Sequence, residues 1–159
     1  MKKLTFFIFY KFILFLNFLS SNKLIYNIIS NFHENSYIKK RINKNILKFF
    51  VPNSISRWKV DTFFTQEPET LEWIDSFTID NDNIIFWDIG ANIGLYSIYA
   101  GSKYENIEIV SFEPSTSNLR ILSRNIFLNK FEEKIKISQF PLSDKSNCYE
   151  LMSETEFKE

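Results

Sequence analysis

The run Ile84-Ile85-Phe86-Trp87-Asp88-Ile89-Gly90-Ala91-Asn92-Ile93-Gly94-Leu95 carries an apolar strand into a glycine-bearing turn and on into a helix. Ile84 to Trp87 reads as a short buried strand, and Leu95 to Ala100 opens the helix. The chain holds 3 glycines, at 90, 94 and 101, and all fall inside this unit. Glycine is needed where the backbone takes a positive φ or meets a ligand without an intervening Cβ, so this concentration predicts a binding loop rather than only a tight connection. The spacing is Gly-x-x-x-Gly behind a strand-end acid, not the Gly-x-Gly-x-x-Gly of dinucleotide sites, which argues against pyrophosphate. Asp88 would repel a phosphate. It suits a cationic amine, directly or through water, while the N–H groups opening the helix suit a carboxylate.

Downstream, Ile107 to Phe112 predicts a second strand, ended by Glu113 and Pro114. An acid about 20 residues beyond the glycine loop is placed for ribose, and a carboxylate accepts from both the 2′ and 3′ hydroxyls. An adenosine carrying an amino acid fits both acids better than a phosphate-bearing ligand does. Ser115 to Leu128 predicts a helix capped by Ser115, with Leu119, Leu122, Ile126 and Phe127 as its apolar face. Ile135 to Phe140 alternates as a third strand, and Cys148 to Met152 begins a fourth. Strands alternating with helices predict an α/β unit with a doubly wound parallel sheet.

Upstream, Pro68 opens a helix through Leu71, Trp73, Ile74 and Phe77, followed by a turn at Asp80-Asn81-Asp82-Asn83. Trp58 to Phe64 alternates polar and apolar residues as a strand does, and Pro52-Asn53-Ser54 closes a helical region before it. That region reads as two amphipathic helices. One carries Leu24, Ile25, Ile28, Ile29 and Phe32, and the other carries Ile38, Ile42, Ile46 and Phe49. Two parts are expected: a helical, basic and hydrophobic segment at 1–57, and an α/β unit at 58–159.

Charge divides along the same line. Residues 1–60 hold 11 Lys and Arg against the single acid Glu34, and residues 61–159 hold 8 against 18 acids. Lys39, Lys40, Arg41, Lys44 and Lys48 would line the second helix, a plain solvated face or a contact for anionic lipid or another polyanion. The apolar run from Leu4 to Leu19 is short of the ~20 residues that span a bilayer and is interrupted by Lys11. Peripheral membrane contact through residues 1–50 is the corresponding expectation, with a cytoplasmic location. The single cysteine, Cys148, excludes an intramolecular disulfide framework and fits a reducing compartment. His33 is the one histidine and lies far from it, so no thiol–imidazole pair is expected, and no metal site is read.

Three segments, Phe86 to Ser97, Phe112-Glu113-Pro114-Ser115 with Asn118, and Asn125-Ile126-Phe127-Leu128-Asn129, make the chain resemble the FkbM-type S-adenosylmethionine-dependent methyltransferases. Glu67-Pro68-Glu69-Thr70-Leu71 and Leu142-Ser143-Asp144 extend the resemblance over roughly 58–146. It implies a Rossmann-like fold with S-adenosylmethionine as cofactor. Asp88, Gly90, Ala91, Asn92 and Gly94 would border its methionine part, Glu113 its ribose, and Pro114, Ser115 and Asn118 would lie alongside. Leu142 and Ser143 would stand near the adenine, and Glu67 and Thr70 would either face the cofactor or cap locally. The implied reaction is methyl transfer to a hydroxyl oxygen of a sugar, glycan precursor or other small molecule, with nucleic acid a lesser alternative. Complete relatives continue beyond a fourth strand, so an incomplete parallel sheet with uncovered apolar surface is expected, and a non-catalytic module retaining the fold or cofactor binding is the alternative. No catalytic base is read in this portion.

Overall fold

The computed structural model describes residues 2–21, 23–42, 44–78, 84–140 and Leu142. The chain divides into two compact units, Met1–Ser36 and Tyr37–Glu159. Residues 37–57, read with the front segment from sequence alone, therefore fold with the second unit.

The first unit is a pair of helices, α1 (Lys2–Leu19) and α2 (Leu24–Glu34). The first amide groups of α2 would be left unpaired by Lys23, which cannot accept a bond at the N-cap. Instead Ser20 Oγ accepts from Leu24 N at 3.0 Å and Asn17 Oδ1 accepts from Ile25 N at 2.9 Å. No residue of α2 is buried, and Phe6, Phe9, Phe12 and Phe18 of α1 are all exposed. Among the described residues, no single helix is long and apolar enough to cross a membrane.

The second unit opens with an antiparallel hairpin, β1 (Tyr37–Ile42) and β2 (Asn45–Phe50), in which Ile42 pairs with Asn45. The helix expected over Ile38 to Phe49 is thus corrected to two strands. Ile38 and Ile42 are four positions apart, a step close to a helical turn but also an even number, which keeps them on one face of β1; Phe49, paired with Ile38, shares that face, whereas Ile46 pairs with Arg41 and is exposed. Pairing decides the matter. The N–H of Phe50 is taken by Asn125 Oδ1 at 2.6 Å, and Lys48 offers its N–H to Asn129 Oδ1 at 2.9 Å and its carbonyl to Asn129 Nδ2 at 2.8 Å. Two asparagine side chains from a later helix thereby satisfy backbone groups of β2 that would otherwise remain open.

The next element, α3 (Ser54–Gln66), replaces the strand expected over Trp58 to Phe64. Asn53 is its N-cap, accepting from Ser56 N at 2.8 Å while Ser56 Oγ accepts from Asn53 N at 3.3 Å, a reciprocal capping box. Ser56, Val60 and Phe63 are buried at helical spacing. The residues read as the end of one helix are the beginning of another.

From here the expected order holds: α4 (Pro68–Asp75), β3 (Ile84–Ile89), α5 (Leu95–Lys103), β4 (Ile107–Phe112), α6 (Thr116–Asn129) and β5 (Ile135–Ser138). The three strands form a parallel sheet in the order β3-β4-β5, with Asp88 beside Ser111 and Ile109 beside Ile135. The unit is α/β and Rossmann-like, and its core gathers Phe86, Ile98, Ile109, Leu122 and Ile126 with Phe49, Phe50 and Val60 of the hairpin and α3. On β3 the alternate residues Ile85, Trp87 and Ile89 are 70, 57 and 64 % exposed, which matches the expectation of an uncovered apolar sheet face. Of the apolar face assigned to α6, Leu122 and Ile126 are buried, but Phe127 is exposed and Ile121 takes its place inside. The turn expected at 80–83 and the fourth strand at 148–152 lie outside the described residues.

Candidate active site

Three sharply bent residues shape the turn between β3 and α5. Gly90 has φ 77°, Asn92 φ 52° and Gly94 φ 82°, all in the left-handed region that disfavours a Cβ. The two glycines serve different ends. A Cβ on Gly90 would meet nothing within 4 Å, so its bareness leaves open space above the strand end. A Cβ on Gly94 would collide with the Leu122 side chain, so its bareness lets α5 and α6 approach. Gly94, expected to border a ligand, is buried and lines neither cleft described below.

Glu113 stands at the end of β4 and is 5 % exposed. Its Oε2 accepts from Asn92 N at 2.7 Å and its Oε1 from Ser115 N at 2.8 Å. One carboxylate thus ties the glycine loop to the loop that Pro114 opens before α6. A carboxylate has about four lone-pair sites, so each oxygen keeps one for a further donor. Gly90 N and Ala91 N both donate to Phe112 O, at 2.9 and 3.0 Å, which holds the loop against β4.

Asp88 is 7 % exposed and its Oδ2 accepts from Ser97 N at 3.1 Å and from Ser97 Oγ. Ser97 Oγ also meets Ser111 Oγ at 2.7 Å. Burial raises the Asp88 pKa above the ordinary carboxylate range; the Ser97 bonds oppose this and the nearby Glu113 charge adds to it. Asp88 therefore joins the strand end to the first turn of α5. Ser115 occupies the N-cap position of α6 as expected, but its side chain does not cap; its Oγ meets Ser117 Oγ at 2.9 Å.

Two clefts flank the loop. One, of about 200 Å³, is walled by Gly90, Ala91, Asn92 and Ile93 of the loop, Leu95 and Tyr96 of α5, and Lys59, Phe63, Gln66 and Glu67 of the α3–α4 segment. The other, of about 150 Å³, shares Lys59, Asn92 and Ile93 and adds Asn118, Ser117 and Asn53. Tyr96 donates its hydroxyl to Glu67 Oε2 at 2.9 Å, and burial together with that acid raises the tyrosine pKa. Thr70 Oγ1 lies 3.4 Å from the same Glu67 oxygen. Asn92 Oδ1 is buried and, among the described residues, accepts no hydrogen bond. Leaving such an acceptor unpaired costs about 1–3 kcal/mol, which a ligand donor would recover.

The expected site residues thus fall into groups. Gly90, Ala91, Asn92 and Asn118 line the clefts; Asp88, Glu113, Pro114 and Ser115 form the frame behind them; Leu142 is exposed, and Ser143 lies outside the described residues. Sequence reasoning missed Lys59, Tyr96 and Asn125, whose Nδ2 donates to Ile93 O at 2.9 Å. Lys59, Phe63 and Gln66 follow one another at helical spacing, a signal visible only once α3 is recognised as a helix. Among the described residues no group of three His, Cys, Asp or Glu side chains could hold a metal ion.

No protein-family model matches the chain. It is similar to the methyltransferase sdnD of Sordaria araneosa, 41% identical over 64 residues that make up 40% of this chain and 25% of that protein. It is also similar to the AMB antimetabolite synthetase AmbE of Pseudomonas aeruginosa, 33% identical over 70 residues, 44% of this chain and 3% of that protein. The matched part is thus a quarter or less of each relative's length. Similar solved structures include the SAM-dependent methyltransferase from Agrobacterium tumefaciens, with 12% identity, TM-score 0.49 and coverage of 65% of this chain and 32% of that one. Another is P. horikoshii TYW2 in complex with MeSAdo, with 17% identity, TM-score 0.45 and coverage of 67% and 37%.

Proposed function

We propose that the second unit is the cofactor-binding part of an S-adenosylmethionine-dependent methyltransferase of the FkbM type, acting on a hydroxyl of a sugar, glycan precursor or other small molecule. The observation that carries this reading is the junction at Glu113. Its carboxylate holds the glycine loop through Asn92 N and keeps lone pairs for ribose hydroxyls, while Asn92 Oδ1 stands buried and unpartnered beside the cleft. The 41% identity with a methyltransferase over 64 residues supports the same reading. These residues suit the cofactor: Glu113 for the ribose, the loop at Gly90 to Asn92 for the methionine part, and Asp88 to hold that loop on α5. When bound, the cofactor supplies an electrophilic methyl group. The chain's part is to bind and orient it, since alignment of the reacting atoms carries much of the rate in such a displacement.

Calorimetric titration with S-adenosylhomocysteine, with NAD and ATP as controls, tests the proposal. Binding of S-adenosylhomocysteine alone supports it. No binding by a folded chain refutes cofactor binding by this unit, and binding without methyl transfer to any hydroxyl acceptor leaves the non-catalytic alternative.

A second reading concerns the first unit, which we propose makes peripheral contact with anionic membranes. The exposed Phe6, Phe9, Phe12 and Phe18 on a helix with no acidic residue favour it, because exposed aromatic side chains suit the headgroup boundary. Co-flotation with phosphatidylserine vesicles, lost on deleting residues 1–36, is the expected result; unchanged flotation after the deletion refutes it.

A further inference from the structure

We propose that Lys59 and Glu67, brought in by the α3–α4 segment ahead of the glycine loop, form with Asn92 Oδ1 a clamp for the zwitterionic amino-acid end of the ligand. The inference rests on the cofactor reading above and assigns that end to residues outside the loop.

Three residues of unlike polarity line one cleft from three places: Lys59, which carries an ammonium, Glu67, which carries a carboxylate, and Asn92, whose buried amide oxygen has no partner among the described residues. An isolated carboxylate ligand would be drawn to Lys59 but repelled by Glu67, and an isolated amine the reverse. An α-amino acid carries both charges on neighbouring atoms and satisfies both. Its ammonium has three donors, enough for Glu67 and for Asn92 Oδ1 together.

Size points the same way. A cleft of about 200 Å³ is below the ~300–1,000 Å³ of sites that enclose a drug-sized ligand, a size that suits an amino-acid fragment rather than a whole nucleoside-bearing ligand. The rest of a nucleoside-bearing ligand would then lie outside it, toward Glu113.

Lys59 is half-buried and, among the described residues, its side chain makes no hydrogen bond or ion pair. Its neighbour in sequence, Asp61, is engaged by Lys40 and Arg57, each at 3.4 Å. Glu67 is held by the Tyr96 hydroxyl, and Asn92 is held by its N–H on Glu113 and by its left-handed backbone. Two of the three members are therefore set before any ligand arrives, and the third is a cation without a protein counter-ion. Asp88, whose Oδ2 is occupied by Ser97, becomes the support of the loop rather than the main partner of the amine.

The test compares S-adenosylhomocysteine with 5′-methylthioadenosine, which keeps the nucleoside and lacks the amino acid, on the full chain and its Lys59→Met and Lys59→Arg variants by calorimetry. Lys59→Met is expected to weaken S-adenosylhomocysteine roughly 10–100-fold, the range for a hydrogen bond to a charged group, and to leave methylthioadenosine unchanged. Lys59→Arg is expected to restore most of the loss. Equal weakening of both ligands, or an unchanged affinity for S-adenosylhomocysteine, overturns the clamp while leaving the cofactor reading in place. Failure of the unsubstituted chain to bind either ligand overturns the cofactor reading and the clamp with it. Unchanged thermal melting of Lys59→Met confirms that the contrast is not one of folding.

Discussion

Two clefts of the second unit are of opposite character. The larger, of about 590 Å³, runs between β2, the end of α5 and the end of α6, and Lys134, Asn45 and Asn129 on its walls bond to the protein itself. Lys134 Nζ donates to Gly101 O at 3.0 Å and Tyr104 O at 2.7 Å, Asn45 Nδ2 donates to Ser102 O at 3.0 Å, and Asn129 bridges Lys48. The cleft at the glycine loop is about a third of that size, yet among the described residues it keeps a buried oxygen without a partner and a half-buried lysine without one, whereas the unpaired Lys48 and Lys130 of the larger cleft are exposed. The difference teaches that groups left unsatisfied mark a site better than volume does, because an unpaired buried polar atom is a cost that some ligand can remove.

The largest expected break between the clefts is Glu113→Ala. It removes the acceptor for Asn92 N and the proposed ribose partner together, and S-adenosylhomocysteine affinity should fall roughly 100-fold, equivalent to ~2.7 kcal/mol. Lys134→Met, in the larger cleft, should leave that affinity unchanged and lower the unfolding free energy in urea by about 1–2 kcal/mol. Equal effects of the two variants on binding would erase the distinction.

Asn125→Ala touches both regions. Its side chain accepts from Phe50 N of the hairpin and donates to Ile93 O of the loop, and it is fully buried. The loss of stability should be about 2–3 kcal/mol, read by urea unfolding, because two buried backbone groups lose their partner. An unchanged midpoint would mean that the hairpin does not depend on α6.

Gly94→Ala and Gly90→Ala separate the two duties of the loop. Both place a Cβ at positive φ, at a cost of about 1–2 kcal/mol, but only Gly94→Ala also strikes Leu122. Thermal melting should fall further for Gly94→Ala, while Gly90→Ala should be the one that weakens ligand binding at matched folding, since its Cβ enters the open space.

The smallest effect belongs to Asp88. Its folded-state pKa is raised by burial, so between the ordinary value of 3.8 and the folded value the folded state binds more protons than the unfolded. Its contribution to stability is therefore highest below that window, falls as pH rises through the folded pKa and stays constant above. The stability of the unsubstituted chain minus that of Asp88→Asn, followed by urea unfolding against pH, should decline on going from acid to neutral; a rising difference would contradict the burial argument.

The positions at which sequence reading succeeded and failed follow from the same physics. The run from Ile84 to Ser138 is legible because each strand is short and apolar, each helix has its own face, and Gly90 and Gly94 stand where the turn demands positive φ. The hairpin is not legible, because Ile38 and Ile42 satisfy two periodicities at once, exposed Ile46 extends the helical one, and the deciding hydrogen bonds come from Asn125 and Asn129, 75 and 81 residues away. For α3 the signal was present in Asn53 and Ser56, but the neighbouring Pro52 was read as an ending, and Lys59 was lost with the helix that presents it.

Local steric rules written in the sequence by itself determined the strand–turn–helix unit, the acids at the ends of β3 and β4 and the α/β order, since these depend on neighbours within a few residues. Only the tertiary structure decided that β2 is a strand, that Gly94 serves packing while Gly90 leaves space, and that Lys59, Glu67 and Asn92 line one cleft. Those outcomes rest on groups far apart in the chain whose hydrogen bonds and contacts exist only after folding brings them together.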